Sequence, residues 1–310
     1  MKVQKFLAGG IAPRPIALVS TIAADGTGNL SPFSYFNTFG ANPPMVGFSA
    51  LRRVRDGSTK DTLNNVQATR ECVIHAVSYA MVQQTSLSST EYDSSVDEFQ
   101  KSGFTAVNSD VVKPKRVLES PFHMECIVKQ IIPLGNDGGS GNLVLCEVVK
   151  FHIDKSIFNS DVIEPQLIDL VGRNSANYYT RASGTAVFEV EKPRAKKGIG
   201  VDQLPSEIRN SHILSANNLG QLGNIENLPT ETEIKHFLDT FEDNNASESI
   251  SEDCKYFTIF RAALSFVNSD SNKVDELIET AAQIALENKD TDFAIKALCA
   301  GINLIRQKAE

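Results

Sequence analysis

The apolar positions of this chain follow two different periods. Up to about residue 190 they come in short β-rich runs, at Ile16 to Ile22, Met45 to Phe48, Cys72 to Val77, Phe122 to Ile132 and Leu143 to Ile153. Each run has the length and residue types of a strand. Ala24-Asp25-Gly26 supplies a turn after the first run, and Pro43-Pro44 forces extended entry into the second. The glycine-rich stretch Gly135 to Gly141 joins the last two runs as a long hairpin. Asp61 to Thr69 and Tyr79 to Leu87 read as short helices between strands. Runs without strict alternation, such as LVLCEVV, predict burial on both faces, as in a barrel wall covered by helices.

Further along, the period lengthens to about 3.6. Val274, Leu277, Ile278, Ala281 and Ala285 fall on one helical face, and Ile295, Leu298, Cys299, Ile302 and Ile305 on another. Thr230 with Glu233 three residues later is a capping box that opens an earlier helix. Between Glu226 and Asp253 there are nine acidic residues and one basic, and EDNNASESISED is its most linker-like part. These patterns divide the chain into a β-rich domain over 1–190, an extended polar linker with a short helix over 191–253, and a helical extension over 254–310.

Composition narrows the class of partner. The 310 residues are 41% apolar and 22% charged, as in an ordinary globular protein, with a net charge of −8. That sign argues against nucleic acid or an anionic membrane as the main partner. The patch Lys192 to Lys197 (KPRAKK) is short, lacks interleaved aromatics and reads as solvated surface. No apolar run approaches a membrane span, and the N-terminus lacks the apolar core of a signal peptide. Five scattered cysteines (Cys72, Cys126, Cys146, Cys254, Cys299) form no CxxC pair, so a reduced cytoplasmic location is expected. No HExxH or CxxC spacing points to a metal.

The chemistry concentrates between Arg14 and Asn65. A small-polar turn, Asn29 to Ser34, is followed by the pair Arg52 and Arg53, and then by Lys60-Asp61-Thr62 at a helix start. Asp61 or Thr62 can cap that helix and leave backbone N–H groups facing an anion. Hydroxyls, guanidinium groups and a helix N-terminus are the parts a phosphate site needs. No catalytic triad or carboxylate pair is evident. His152 stands out among the histidines, while His75 and His123 read no differently from core histidines.

SPFSYFN, the NPP before a strand, KDTLNN, RPIALVST and FHID at Phe151 to Asp154 together resemble the flavin reductase-like family over roughly residues 12 to 185. The resemblance implies an FMN-binding split β-barrel, mainly β with helices, followed here by the C-terminal α-helical extension. It places Ser31, Pro32, Phe33, Ser34, Ser49, Arg52, Lys60, Asp61 and Thr62 near the flavin. His152 corresponds to a histidine on the nicotinamide side in relatives, and is taken as a substrate-positioning group. Arg173 to Tyr179 (RNSANYY) is similar to the stretch that closes the flavin site, with Arg173 on an anionic part of the nicotinamide cofactor and Tyr178 stacked on a ring. Many relatives carry Gly-Gly where this chain has Ser175-Ala176.

The implied activity is NAD(P)H:flavin oxidoreduction, with FMN (FAD as the alternative flavin) and NADH or NADPH as donor. The resemblance also implies a homodimer and allows a partner monooxygenase. Rival readings are an FMN protein for electron transfer or storage, and a flavin-dependent oxygenase of a small organic substrate.

Overall fold

In the computed structural model, the described residues are 2–190, 192–193, 196–242 and 255–306. The chain divides into two compact units, residues 1–189 and 190–310.

The first unit opens with helix α1 (Lys2–Gly10), followed by strands β1 (Ala17–Ile22), β2 (Gly28–Phe33), β3 (Phe36–Ala41) and β4 (Pro44–Ser49). Helix α2 (Asp61–Thr69), β5 (Glu71–Ala76), α3 (Val82–Leu87), α4 (Glu98–Ser102) and the small ribbon β6 (Ala106–Val107) with β7 (Arg116–Val117) come next. The long strands β8 (Phe122–Pro133) and β9 (Asn142–Ile153) then form the hairpin over the glycine-rich turn. The ribbon β10 (Phe158–Asn159) with β11 (Val162–Ile163), helix α5 (Pro165–Ile168) and the ribbon β12 (Val171–Arg173) with β13 (Tyr179–Arg181) end the unit. Seven strands make one antiparallel sheet in the order β2-β1-β5-β8-β9-β4-β3. Its two edge strands are consecutive in sequence. This is the mainly β, helix-bearing architecture expected.

The first strand shows why its sequence does not alternate. Ala17 and Val19 enter a core with Phe33, Phe48, Ile74 and Cys146, while Ile16 and Leu18 enter another with Leu30, Met81 and Phe99. The run LVLCEVV behaves differently from expectation. Val144, Cys146 and Val148 are buried, but Leu143, Leu145 and Glu147 are only half-buried, so β9 alternates. The α3 and α4 region covers the outer face of β1 and β2 with Met81 and Phe99. Cys72, Cys126, Cys146 and Cys299 are buried free thiols. Cys254 lies outside the described residues, as does most of EDNNASESISED.

In the second unit, much of the segment expected as a polar linker is helical. Helices α6 (Ser206–Arg209), α7 (Ala216–Leu222) and α8 (Glu231–Glu242) contribute Ile208, Leu222, Ile234 and Phe241 to one core with α9 (Lys255–Phe266), α10 (Ser271–Glu287) and α11 (Thr291–Arg306). Helix α8 is the one the capping box announces, its charges set between apolar positions spaced three and four apart, whereas α6 and α7 were not anticipated. The capping box is formed, with the Thr230 N–H donating to Glu233 Oε2 at 2.8 Å and the Glu233 N–H donating to Thr230 Oγ1 at 3.3 Å. The anticipated faces of α10 and α11 supply Val274, Ile278, Ala281, Ile295 and Leu298 to this core.

Candidate flavin site

Asn29 to Ser34, expected as a turn, is mostly strand. Residues 28–33 form β2 and pair with β1, Ser31 opposite Val19 and Phe33 opposite Ala17. Backbone pairing to a buried neighbour outweighs the turn tendency of the small polar residues. Ser31 and Pro32 are half-buried along it, and the Phe33 ring meets Phe48 with centroids 5.1 Å apart. Just beyond, the Ser49 N–H donates to the Tyr35 carbonyl at 2.8 Å, and Ser34 Oγ accepts from Arg14 Nε at 3.3 Å. The ends of β2 and β4 are thereby drawn together.

Helix α2 starts at the same place. Its N-cap is Lys60, whose side chain makes no capping bond; Asp61 lies in the first turn. Neither Asp61 nor Thr62 caps it, contrary to expectation. The Thr62 hydroxyl is buried and donates to Asn29 Oδ1 at 2.8 Å. The first N–H groups of α2 thus lack a side-chain acceptor and carry the positive end of its dipole. Lys60 Nζ lies 5.4 Å from the centre of the Phe33 ring, and burial lowers its pKa.

The arginine pair closes the third side. Arg52 Nη1 donates to the Gly57 carbonyl at 3.1 Å, and Arg53 Nη1 donates to the Thr59 carbonyl at 2.5 Å. Arg53 also lies 3.5 Å from Glu91. The glycine-rich turn braces the loop. The Gly139 N–H donates to the Arg52 carbonyl at 3.0 Å, and the Arg52 N–H to the Ser140 carbonyl at 2.9 Å. Ser49 Oγ and Arg52 Nε are buried without a hydrogen-bond partner among the described residues, whereas Arg53 Nε faces Glu91 Oε1 at 3.5 Å. Buried polar atoms normally find partners, so orphans beside an uncapped helix start fit a ligand rich in acceptor oxygens, such as a phosphate.

The other three expected residues lie elsewhere. Ser49 pairs with Leu143 near the start of β9, whereas His152 sits nine positions later, near its end, with Nε2 2.6 Å from Glu125 Oε1. Arg173 shares a β-bridge with Arg14, and through Arg14 it neighbours Ser34. Its guanidinium lies 4.6 Å from the Tyr179 ring centre and donates to the Tyr178 carbonyl at 3.2 Å. The Tyr178 side chain is 72% exposed. Arg173, Tyr178, Tyr179 and Tyr79 line a cavity of about 470 Å³. Ala176 has φ +49°, in the left-handed region that favours glycine. A larger apolar cavity of about 720 Å³, lined by Phe36, Met45, Met124 and Phe151 among others, opens beside Arg14 and Gly172. Such a slot suits a planar ring system.

His75 and His123 are core histidines. His75 Nδ1 lies 2.8 Å from the Leu18 carbonyl, and its Nε2 accepts the Val117 N–H at 3.0 Å, so Nδ1 carries the proton. Burial holds its pKa down at about 3, helped by neighbouring His123. Two features went unread in the sequence. Arg14 is buried and ties α1 to β12 through Ala8, Ile11 and Asn174. Glu125, at 0% exposure, is a lone acid inside the apolar run FHMECIVK; a charge at a buried strand position is the signal that could have revealed it.

Comparison with known proteins accords with this geometry. Residues 9–175 match the flavin reductase like domain, which is more than half of the chain. An uncharacterized protein of Halalkalibacterium halodurans is 33% identical over 61% of this chain and 90% of its own. Another, from Aquifex aeolicus, is 30% identical over 61% of this chain and 94% of its own. Among solved structures, nitrilotriacetate monooxygenase component B from Bacillus cereus has a TM-score of 0.57 and 29% identity, covering 61% of this chain and 93% of that one. A split barrel domain protein of Shewanella frigidimarina, at TM-score 0.53 and 24% identity over 60% of this chain and 91% of its own, shares the fold. The first unit is therefore a flavin-type split β-barrel. The chain belongs to the flavin reductase like domain family, and its activity class is flavin-linked oxidoreduction. Among the described residues, no helix is long and apolar enough to cross a membrane.

Proposed function

We propose that the protein is an NAD(P)H-dependent FMN reductase. The observation that carries this reading is the pair of orphaned donors, Ser49 Oγ and Arg52 Nε, together with the uncapped start of α2, inside a flavin reductase like domain. A terminal phosphomonoester such as that of FMN matches these donors, and this favours FMN over FAD. A bound flavin supplies the hydride-accepting ring, so the chain needs no acid–base pair of its own.

The chain's residues would bind, orient and exclude water. Arg52, Lys60, Asp61, Thr62 and Ser49 hold the phosphate end, with the N–H groups of Asp61 and Thr62 as donors and the Thr62 hydroxyl fixing the helix. Ser31, Pro32, Phe33 and Ser34 form the edge along which the ring lies. The apolar cavity beside Arg14 keeps water away from the reacting face. Arg173 offers its guanidinium to an anionic part of the nicotinamide cofactor, Tyr178 an exposed ring for stacking, and His152, by the family resemblance alone, a polar contact for the same cofactor. A homodimer, a cytoplasmic setting and delivery of reduced flavin to a monooxygenase belong to the same reading. It takes its last part from the likeness to a monooxygenase component B.

The decisive experiment is anaerobic addition of NADH, then NADPH, to the FMN-loaded protein, followed in the visible spectrum. Rapid bleaching by either donor is expected. Flavin bands that persist with both would reduce the protein to a flavin carrier.

A further inference from the structure

The neighbouring arginines of the 52–58 loop carry their guanidinium groups differently. Arg52 donates from Nη1 to the Gly57 carbonyl at 3.1 Å and keeps a buried Nε with no partner among the described residues. Arg53 donates from Nη1 to the Thr59 carbonyl at 2.5 Å and to Ser58 Oγ at 3.3 Å, and its Nε faces Glu91 Oε1 at 3.5 Å. The other oxygen of Glu91 lies 3.2 Å from Arg55 Nη1. One carboxylate thus spans Arg53 and Arg55 and leaves Arg52 alone.

Glu91 does not belong to that loop. It stands just after α3, in a tight turn where the Thr90 N–H donates to the Leu87 carbonyl at 3.1 Å and the Tyr92 N–H to the Thr90 carbonyl at 3.0 Å. The loop's own acid, Asp56, is spent within the loop. Its Oδ1 accepts the Ser58 N–H at 2.9 Å and the Ser58 hydroxyl at 2.6 Å, and its Oδ2 accepts from Arg55 Nε at 3.1 Å. Glu91 also acts on Lys60, at the start of α2. Burial lowers the Lys60 pKa, Glu91 pulls it back up and Arg53 pushes it further down, so the three charges share one small region. The Glu91 side chain is 49% exposed against 18% for Arg53, which puts the acid at the rim and the guanidinium beneath it.

An anion at the rim of an anion site works against the ligand. It lowers the positive potential that draws a phosphate in, and it engages a cation that the phosphate would otherwise use. We propose that Glu91 is the built-in counter-ion of the phosphate site, an affinity-setting residue that withholds Arg53 from the flavin phosphate and leaves Arg52 and Lys60 to bind it. This rests on the reading of the orphaned donors beside α2 as the FMN phosphate site. Glu91 touches no reacting atom, and its effect falls on the phosphate alone. The consequence is a weaker grip on FMN than the cations of the loop would otherwise give.

The test is Glu91→Gln in the full chain, with FMN and riboflavin affinities both measured by quenching of flavin fluorescence. The amide keeps the shape of the side chain and removes its charge. FMN should bind about tenfold tighter, as a repulsion across several ångströms of partly exposed protein is relieved. Riboflavin, which lacks the phosphate, should bind as it does to the wild type. Glu91→Ala, which leaves nothing to hold Arg53, should show at least the same gain. Adding Arg53→Met to Glu91→Gln should abolish the gain, because Arg53 is the cation set free, and should leave riboflavin affinity unchanged. A folded Glu91→Gln protein that binds FMN no tighter than the wild type overturns the proposal; if it still prefers FMN to riboflavin, the phosphate reading stands. A gain shared equally by FMN and riboflavin also overturns it, by placing Glu91 against the ring. Equal affinities for the two flavins in the wild type would overturn the phosphate reading, and the role of Glu91 with it.

Discussion

The Thr62 hydroxyl donates to Asn29 Oδ1 at 2.8 Å, joining the first turn of α2 to the strand expected to line the flavin. Asn29 in turn donates from Nδ2 to Glu98 Oε1 at 3.0 Å, and the Leu30 N–H donates to Glu98 Oε2 at 3.2 Å. Burial raises the pKa of Glu98, so its carboxyl depends on those two donors. Thr62→Val removes one bond and should cost about 1 kcal/mol of unfolding free energy. Asn29→Ala also strips a donor from the buried Glu98 and should cost about 2–3 kcal/mol. Urea denaturation of both variants checks this; equal, negligible losses would mean that the network is not formed.

Acid should destabilise the barrel in two steps. His75 has a folded pKa of about 3 against an ordinary 6.5, and Glu125 about 2 against 4.5. Both are depressed, so the unfolded chain binds more protons through each window. Stability is complete above pH 6.5 and is lost as pH falls, first through His75 and below 4.5 through Glu125 as well. The slope is about 1.4 kcal/mol per pH unit for each group. Denaturation midpoints at pH 7, 5.5 and 4 should fall in that order. His75→Asn, which keeps a donor for the Leu18 carbonyl, should flatten the upper part of the curve. A wild-type midpoint that does not move between pH 7 and 4 would contradict the buried, neutral His75.

The strands and helices were largely legible because local periodicity encodes them: β8, β9, α2 and the faces of α10 and α11 fall where the apolar spacing puts them. What escaped depends on partners distant in sequence. Ser31 and Phe33 are strand residues because β1 lies beside them. Thr62 faces inward because Asn29, thirty-three positions away, accepts its proton. Family motifs singled out His152, but no local pattern reveals that its Nε2 meets Glu125, whose carboxylate accepts from three backbone N–H groups.

The phosphate assignment separates two ligands that share a ring. Arg52→Ala and Lys60→Ala should each weaken FMN binding about tenfold or more, the worth of one charge-assisted hydrogen bond, and leave riboflavin affinity nearly unchanged. Quenching of flavin fluorescence measures both. Equal losses for FMN and riboflavin would place these side chains against the ring instead.

Gly138 offers a probe that touches no ligand. A Cβ there would lie 2.7 Å from the Val54 carbonyl oxygen and 3.0 Å from that of Arg53, both rigid backbone atoms. Gly138→Ala must push the 52–58 loop away from the turn, at a cost of about 1–3 kcal/mol. FMN affinity should drop with Arg52 and Arg53 still present. Wild-type affinity in a folded Gly138→Ala protein would show that the loop's position does not matter to the ligand.

Truncation should discriminate between two places to cut the chain. A stop after Glu252 severs the helical core: Phe237 lies 5.2 Å from Phe260 and 5.4 Å from Phe293, and Phe241 lies 4.9 Å from Phe260, by ring centroids. Such a fragment would keep α6 to α8 with Ile234, Phe237 and Phe241 stripped of their partners, an exposed apolar surface that favours association. A stop after Glu189 falls at the boundary between the two compact units and leaves no half-core behind. The 1–252 protein should therefore aggregate or melt lower than the 1–189 protein, by light scattering and thermal melts. The reverse order would show that α6 to α8 belong with the barrel and not with α9 to α11.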